Sequence, residues 1–266
     1  MNREVLINSL EEFMSETDAR LTKPRRPQYT KEDMNVIAFD LEIAAIPEPG
    51  AQISPVDHLG ISVAAGVTNE GKVVIWHGAD NGQRTPRMTA AEVRQMMTDL
   101  AAYDQIVTWN GAAFDFHVLG IEAEDLDAAR VLARGQKHVD LMMLFSAIRR
   151  HRLGLKAAAA GCQSHKGGGG ITSGVDAPGR WANGEFENAI EYVTQDSQAT
   201  MDVYQHLATH GGFDWVSARG SRMIFRLPPS LMNPHTWTVE NLLSKAWSTP
   251  ERWITTPVEK ADFTAW

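Results

Sequence analysis

Apolar and polar positions alternate with a short period early in the chain and with a helical period later. Residues 35–43, NVIAFDLEI, alternate around an apolar centre and predict a buried strand. LGISVAAGV (59–67) and KVVIWH (72–77) predict two more, with the turn signal Thr68-Asn69-Glu70-Gly71 between them. Thr89, with Glu92 three residues on, predicts the capped start of a helix over AAEVRQMMTDLAAY. QIVTWN (105–110) reads as a fourth strand, broken by Gly111, after which AFDFHVLGI opens a helix. Helical spacing continues through 122–134 and 141–160, and a last long helix spans 185–208. Ahead of the first strand, residues 3–20 predict a short helix with Val5, Leu6, Leu10, Phe13 and Met14 on one side, and KPRRPQY (23–29) is a Pro-rich basic linker. This order predicts an α/β domain on a mixed sheet, an antiparallel meander first and at least one right-handed crossover after it.

Three parts of the chain break this pattern. From Gly161 to Gly184 there are 8 glycines in 24 residues, Gly167 to Gly170 consecutive, which predicts a mobile loop. That loop lacks the spacing of a phosphate-cradling nucleotide loop. The tail from Gly211 carries Trp215, Trp237, Trp247, Trp253 and Trp266, 5 of the 8 tryptophans. The expected organisation is an N-terminal helix and linker (1–34), a central α/β domain (35–210) and a Trp-rich extension (211–266). The 266 residues suffice for a sizeable core. No apolar run approaches the roughly 18 residues of a membrane span, and the acidic, amphipathic N-terminus has no signal-peptide pattern. A single cysteine, Cys162, excludes an internal disulfide and a cysteine-cluster zinc site. A cytoplasmic location is expected.

The net charge of −8 argues against nucleic acid, but its distribution changes that picture. Arg130, Arg134, Lys137, Arg149, Arg150, Arg152, Lys156 and Lys166 face Asp140 alone over residues 130–166, a local balance of +7. Such a run can make a positive path on an acidic protein or simply a solvated helix face.

Acidic residues carry the candidate chemistry. On NVIAFDLEI the side-chain period of two puts Val36, Ala38, Asp40 and Glu42 on one face. Two carboxylates at the end of a buried strand are costly unless a cation neutralises them, and a hard divalent ion takes carboxylate oxygens. Asp115 falls in the first turn of the helix that follows Asn110 and Gly111. Tyr192 and Asp196 are four residues apart on the last long helix and share one face.

FDLE (39–42), NGAAFD (110–115) and YVTQD (192–196) form an ordered set. With HVDLM (138–142), the set resembles the DEDD superfamily of 3′–5′ exonucleases, of the type with tyrosine in the third motif. The resemblance covers roughly 35–208 and is similar to the proofreading domains of family B polymerases and their stand-alone relatives. One departure is Ile43, where threonine is common. The resemblance implies a ribonuclease-H-like fold, a mixed five-stranded sheet flanked by helices. It implies two ions, Mg²⁺ or Mn²⁺, held by Asp40, Glu42, Asp115 and Asp196, with Asp40 bridging. Tyr192 would orient the attacking water, since a pKa near 10 makes it a poor base. Asn110 and Phe114 are candidate substrate contacts, Phe114 by stacking on a base. Arg149, Arg150, Arg152, Lys156 and Lys166 are candidate phosphate contacts, and Asp140 is expected to cap a helix.

The implied substrate is single-stranded nucleic acid, with DNA favoured. An exoribonuclease on the same scaffold differs only in contacts to the 2′-hydroxyl. A non-catalytic binding module is the remaining alternative, against which stands the full set of carboxylates and tyrosine. The Trp-rich tail is expected either to pack on the domain or to dock a protein partner.

Overall fold

The computed structural model describes residues 34–46, 48, 53–55, 57–171 and 173–244. The expected helix over 3–20, the linker over 23–29, and Trp247, Trp253 and Trp266 lie outside these residues.

The alternation of the first strand is realised as β1, Val36–Ile43. β2 (Ile61–Thr68) and β3 (Val73–His77) extend it as an antiparallel meander. Gly71 closes the β2–β3 turn at φ +85°, its N–H donating to the Thr68 carbonyl at 2.8 Å. Glycine reaches that conformation without a Cβ clash. A small hairpin, β4 (Ala79–Asp80) and β5 (Gln83–Arg84), leads to α1 (Ala90–Ala101). The predicted capping box forms at its start. The Thr89 hydroxyl accepts from the Glu92 N–H, and the Thr89 N–H donates to Glu92 Oε2 at 2.7 Å.

After α1, β6 (Gln105–Thr108) pairs parallel to β1. α2 (Asp115–Glu122) and α3 (Leu126–Arg134) then bring β7 (His138–Asp140) parallel to β6. The sheet order is β3-β2-β1-β6-β7, the mixed five-stranded sheet flanked by helices that the resemblance implies. β7 is a fifth strand that periodicity did not predict, because three residues are too few to show a period.

Three further expectations need correction. The helical stretch over 141–160 is two helices, α4 (Leu141–Arg149) and α5 (Leu155–Gly161), divided where Arg150 turns left-handed at φ +61°. The Gly-rich segment is not loop throughout, since it contains α6 (Ala177–Ala182). Regular structure does not end with the long helix α7 (Phe186–His210). The hairpin of β8 (Gly212–Val216) and β9 (Arg222–Arg226) follows, then α8 (Val239–Ser244).

Two faces of the sheet are covered differently. Asp40 and Glu42 of β1 sit opposite Ala65 and Val63 of β2, and those residues pack against Ala189 and Val193 of α7. Ser197 pins α7 there by donating to the Ala65 carbonyl at 2.9 Å. On the opposite face, Phe39 meets Phe116 of α2 edge-on at 5.4 Å, and Trp76 donates to Asp99 of α1 at 2.9 Å. The described part of the tail belongs to the same core. Trp237 is fully buried against Tyr204, and Trp215 packs on Phe145. Neither is presented to a partner. Among the described residues, no helix is long and apolar enough to cross a membrane.

Candidate active site

β1 outruns its parallel neighbour. β6 pairs with it only from Val36 to Ala38, so the half of β1 carrying Asp40 and Glu42 passes beyond the carboxyl end of β6. A crevice at such a point, where antiparallel pairing on one side gives way to parallel pairing on the other, is where α/β sheets bind ligands. The chain leaving β6 bends away at Asn110, φ +72°, and returns as α2 with Asp115 in its first turn. Asn tolerates this left-handed conformation better than most residues.

Asp140 fixes that bend. Its carboxylate accepts from the N–H of Asn110 at 3.1 Å, of Ala112 at 3.0 Å and of Met143 at 2.9 Å. It therefore caps α4, as expected from the sequence, and also shapes the 110–115 segment thirty residues away. Asp140→Ala would leave three N–H groups without their acceptor. The expected cost is roughly 2–4 kcal/mol, read as a fall in denaturation midpoint at unchanged slope. An unchanged midpoint would show that the loop holds itself.

From the other side, α7 contributes Tyr192 and Asp196. Both lie in its buried stripe, 1% and 2% exposed, so Asp196 faces the sheet and not solvent. A cleft of about 340 Å³ gathers Asp40, Glu42, Asn110, Phe114, Asp115, Tyr192 and Asp196 from β1, the 110–115 bend and α7. Oxygens of Asp40, Glu42 and Asp196 come within 4.8 Å of one another.

Lys166 also enters this cleft. Its ammonium donates to Asp196 and, at 3.2 Å, to the Tyr192 hydroxyl. The glycines after it explain how. Gly169, at φ +60°, lies so close to α7 that a Cβ would come 2.2 Å from the Asn188 carbonyl oxygen. The Gly167 N–H donates to Asp196 at 2.8 Å. The run of glycines is thus a close approach of backbone to helix, which holds Lys166 over the carboxylates. For Gly169→Ala, amide exchange across 166–171 is expected to speed by at least about tenfold, the loss of ~1.4 kcal/mol of local stability. Unchanged protection would mean the helix contact is unimportant.

The remaining basic candidates separate. Arg150 and Arg152 line a neighbouring cleft. Arg149 points instead to the C-terminal hairpin, its guanidinium 5.1 Å from the Phe225 ring. Lys156 lines neither cleft, and Arg130 pairs with Asp127 at 3.0 Å. The charge run is therefore not one continuous path.

The electrostatics of the main cleft are those of crowded acids. Burial, then Asp115, Asp196 and Glu42, push Asp40 well above the usual carboxylate range. Burial and Asp196 do the same to Glu42. Burial and Asp140 bring Asp115 to about 7, against hydrogen bonds from Leu41 and Asp40. Burial also raises Asp196, although Lys166 and the Gly167 N–H pull it back. Burial disfavours the Lys166 ammonium, but Asp196 and Asp40 outweigh this and raise its pKa. One ammonium cannot neutralise four carboxylates. An all-oxygen, anionic donor set of this kind fits a hard divalent cation such as Mg²⁺ or Mn²⁺. Tyr192 is pushed up to about 12 by burial and Asp196, so at neutral pH it keeps its proton.

Among solved structures, the chain is similar to the family B DNA polymerase from the hyperthermophilic archaeon Pyrobaculum calidifontis. The TM-score is 0.47 and the identity 17%, over 67% of this chain and 26% of the polymerase. No curated protein sequence matches. The family model of the RNase_H superfamily matches residues 60–208, more than half of the chain. That span takes in Asp115, Lys166, Tyr192 and Asp196 and begins after β1. The chain belongs to the RNase_H superfamily.

Proposed function

We propose that this chain is a metal-dependent 3′–5′ exonuclease of the tyrosine-type DEDD class, acting on single-stranded nucleic acid, DNA in preference to RNA. Family membership supports a nuclease in the general sense. The observation that carries the finer reading is the convergence of Asp40, Glu42, Asp115, Asp196 and Tyr192, from three separate parts of the chain, on one cleft.

In this reading Asp40, Glu42 and Asp196 would hold one divalent ion, and Asp115 with Asp40 would hold a second. Bound there, the ions supply Lewis acidity at the phosphate and lower the pKa of the attacking water. The protein's own groups do the rest. Tyr192 retains its proton and orients the water by hydrogen bonding, since a phenol at about 12 makes a poor base. Lys166, already over the carboxylates, is within the same cleft as a charge partner for the scissile phosphate. Phe114 offers a ring for the terminal base, and Asn110 a polar edge beside it.

The test uses 5′-labelled single-stranded DNA and RNA of one sequence, with Mg²⁺ or Mn²⁺, with and without chelator. A ladder shortening from the 3′ end, faster on DNA and abolished by chelator, is expected. Endonucleolytic fragments, a ladder from the other end, or no cleavage by folded protein would each overturn the reading.

A further inference from the structure

The C-terminal hairpin leaves one edge open. Residues 217–226, SARGSRMIFR, hold three arginines and no acid. Gly220, at φ +77°, turns the chain from β8 into β9. The Ser217 N–H donates to the Ser221 carbonyl at 2.8 Å, and the Leu227 N–H to the Gly211 carbonyl at 2.9 Å. Bonded and non-bonded pairs alternate along an antiparallel ladder. In the register from Gly212↔Arg226 to Val216↔Arg222, Met223 and Phe225 therefore bond to β8, and Arg222, Ile224 and Arg226 turn their N–H and C=O groups to the other side. Among the described residues, β9 pairs with β8 alone. The far edge of β8 is closed, since a Cβ on Gly161 of α5 would come 2.3 Å from the Asp214 carbonyl oxygen. The far edge of β9 is the open one.

The side chains along that edge say what fits it. Ile224 is 53% and Met223 40% exposed. By the period of two, Arg222 and Arg226 flank Ile224 on one face of the strand. Each arginine is anchored through one nitrogen. Arg222 donates to Asp214 at 2.5 Å with its side chain still 63% exposed, and Arg226 donates to the His210 carbonyl at 3.1 Å. A guanidinium has further N–H donors, so each can take a second partner. An open edge with an apolar centre is a template for another strand. A second copy of β9 fits it poorly. Laid antiparallel about Ile224, it would set Arg222 opposite Arg226 at both ends, and like charges directly opposite destabilise a sheet. A phosphate chain fits poorly too, because it has no donors for the outward carbonyls. Carboxylates on an extended peptide satisfy both the arginines and the ladder.

We propose that the open edge of β9 docks an extended acidic segment of a partner protein, with the pattern acid-x-apolar-x-acid. The backbone of that segment continues the ladder at Arg222, Ile224 and Arg226. Its apolar side chain lies beside Ile224, and its two carboxylates meet Arg222 and Arg226. In strand addition the main-chain bonds give affinity and the alternate side chains give specificity. Guanidinium–carboxylate pairs add charge-assisted bonds of defined geometry. The surface lies outside the carboxylate cleft, so the inference does not rest on the exonuclease reading.

The experiment follows the anisotropy of fluorescein-labelled Thr-Glu-Thr-Val-Thr-Glu-Thr on the full chain, in wild type, Ile224→Pro and Arg226→Glu. Proline removes the outward N–H of residue 224 and leaves the bonds to β8, the one way a strand edge accepts it. Denaturation midpoints confirm that each variant is folded. Wild type is expected to bind this peptide and not the same peptide with lysine for both glutamates. Each substitution should weaken binding at least about tenfold, the worth of one charged or main-chain bond. In Arg226→Glu, a peptide with lysine for one of its two glutamates should regain affinity, which a merely structural role of Arg226 would not produce. No binding by wild type below about 1 mM, or affinity that survives both substitutions, overturns the proposal. So does a wild-type dimer in sedimentation that Ile224→Pro abolishes, which would make the occupant a second copy. Labelled oligothymidylate whose binding falls in Arg226→Glu but not in Ile224→Pro, with no peptide binding, would assign the face to nucleic acid. If Ile224→Pro does not fold, the charge swap at Arg226 decides alone.

Discussion

Asp40→Asn is expected to reduce cleavage of single-stranded DNA at least about 10³-fold while leaving the protein folded. Several kcal/mol of transition-state charge stabilisation comes from metal ions in such sites, and each 1.36 kcal/mol is tenfold in rate. Asp40 is the residue through which that stabilisation would be lost most completely. Asp115, Asp196 and Glu42 all act on its carboxylate, and in the proposed reading it is the ligand common to both ions. The amide has the same shape but no charge, and β1, Phe39 and Leu41 keep their packing. Calorimetric titration with Mn²⁺ should show binding weakened in parallel. A variant that kept more than about a tenth of the wild-type rate, with ordinary metal dependence, would remove Asp40 from the proposed role. Asn110→Gly, which keeps the left-handed backbone and removes only the side chain, should cost far less.

The residues on which this rests were legible in the sequence because each sits in a regular element with a clear period. VIAFDLEI shows its period of two, so Asp40 and Glu42 could be given one face. The buried stripe of α7 shows its helical period, so Tyr192 and Asp196 could be given another. The Thr89–Glu92 box is local chemistry and forms as read. What was not legible depends on contacts between distant segments. β7 has three residues and is a strand only because β6 pairs with it. Asp140 could be read as a cap, but not as the clamp of a loop thirty positions earlier. The run of glycines suggested mobility, whereas the helix behind Gly169 makes it a close contact. Charge density could not separate Arg149 from Arg150 and Arg152, because no turn residue announces the left-handed conformation at Arg150. Tryptophan content alone left open whether Trp215 and Trp237 pack on the domain or dock a partner, and both are buried in the core.

The same crowding of acids predicts an inverted pH dependence of stability in the metal-free protein. Asp40, Glu42, Asp115 and Asp196 all have folded-state pKa values above the ordinary carboxylate range. The folded protein thus binds more protons than the unfolded chain, and stability falls as pH rises. For Asp115 the contribution is fully present below its ordinary pKa and is lost as pH passes through about 7. Buried histidines act in the opposite sense. Burial lowers His117 to about 4 and lowers His138 as well, so their contribution is complete above the ordinary histidine pKa and is lost in acid. The acids can therefore be read cleanly above about pH 6.5. In chelator, between about pH 6.5 and 8.5, the denaturation midpoint should fall, by roughly 1 kcal/mol from Asp115 alone and further from Asp40 and Glu42. Asp115→Asn should flatten part of that slope and be more stable than wild type at the alkaline end. Saturating Mn²⁺ should flatten it too, because an ion that binds the ionised carboxylates stabilises the folded state as protons leave. A metal-free protein whose stability rises over this range, or whose slope is indifferent to both Asp115→Asn and Mn²⁺, would mean that these carboxylates are solvated and do not form a cation site.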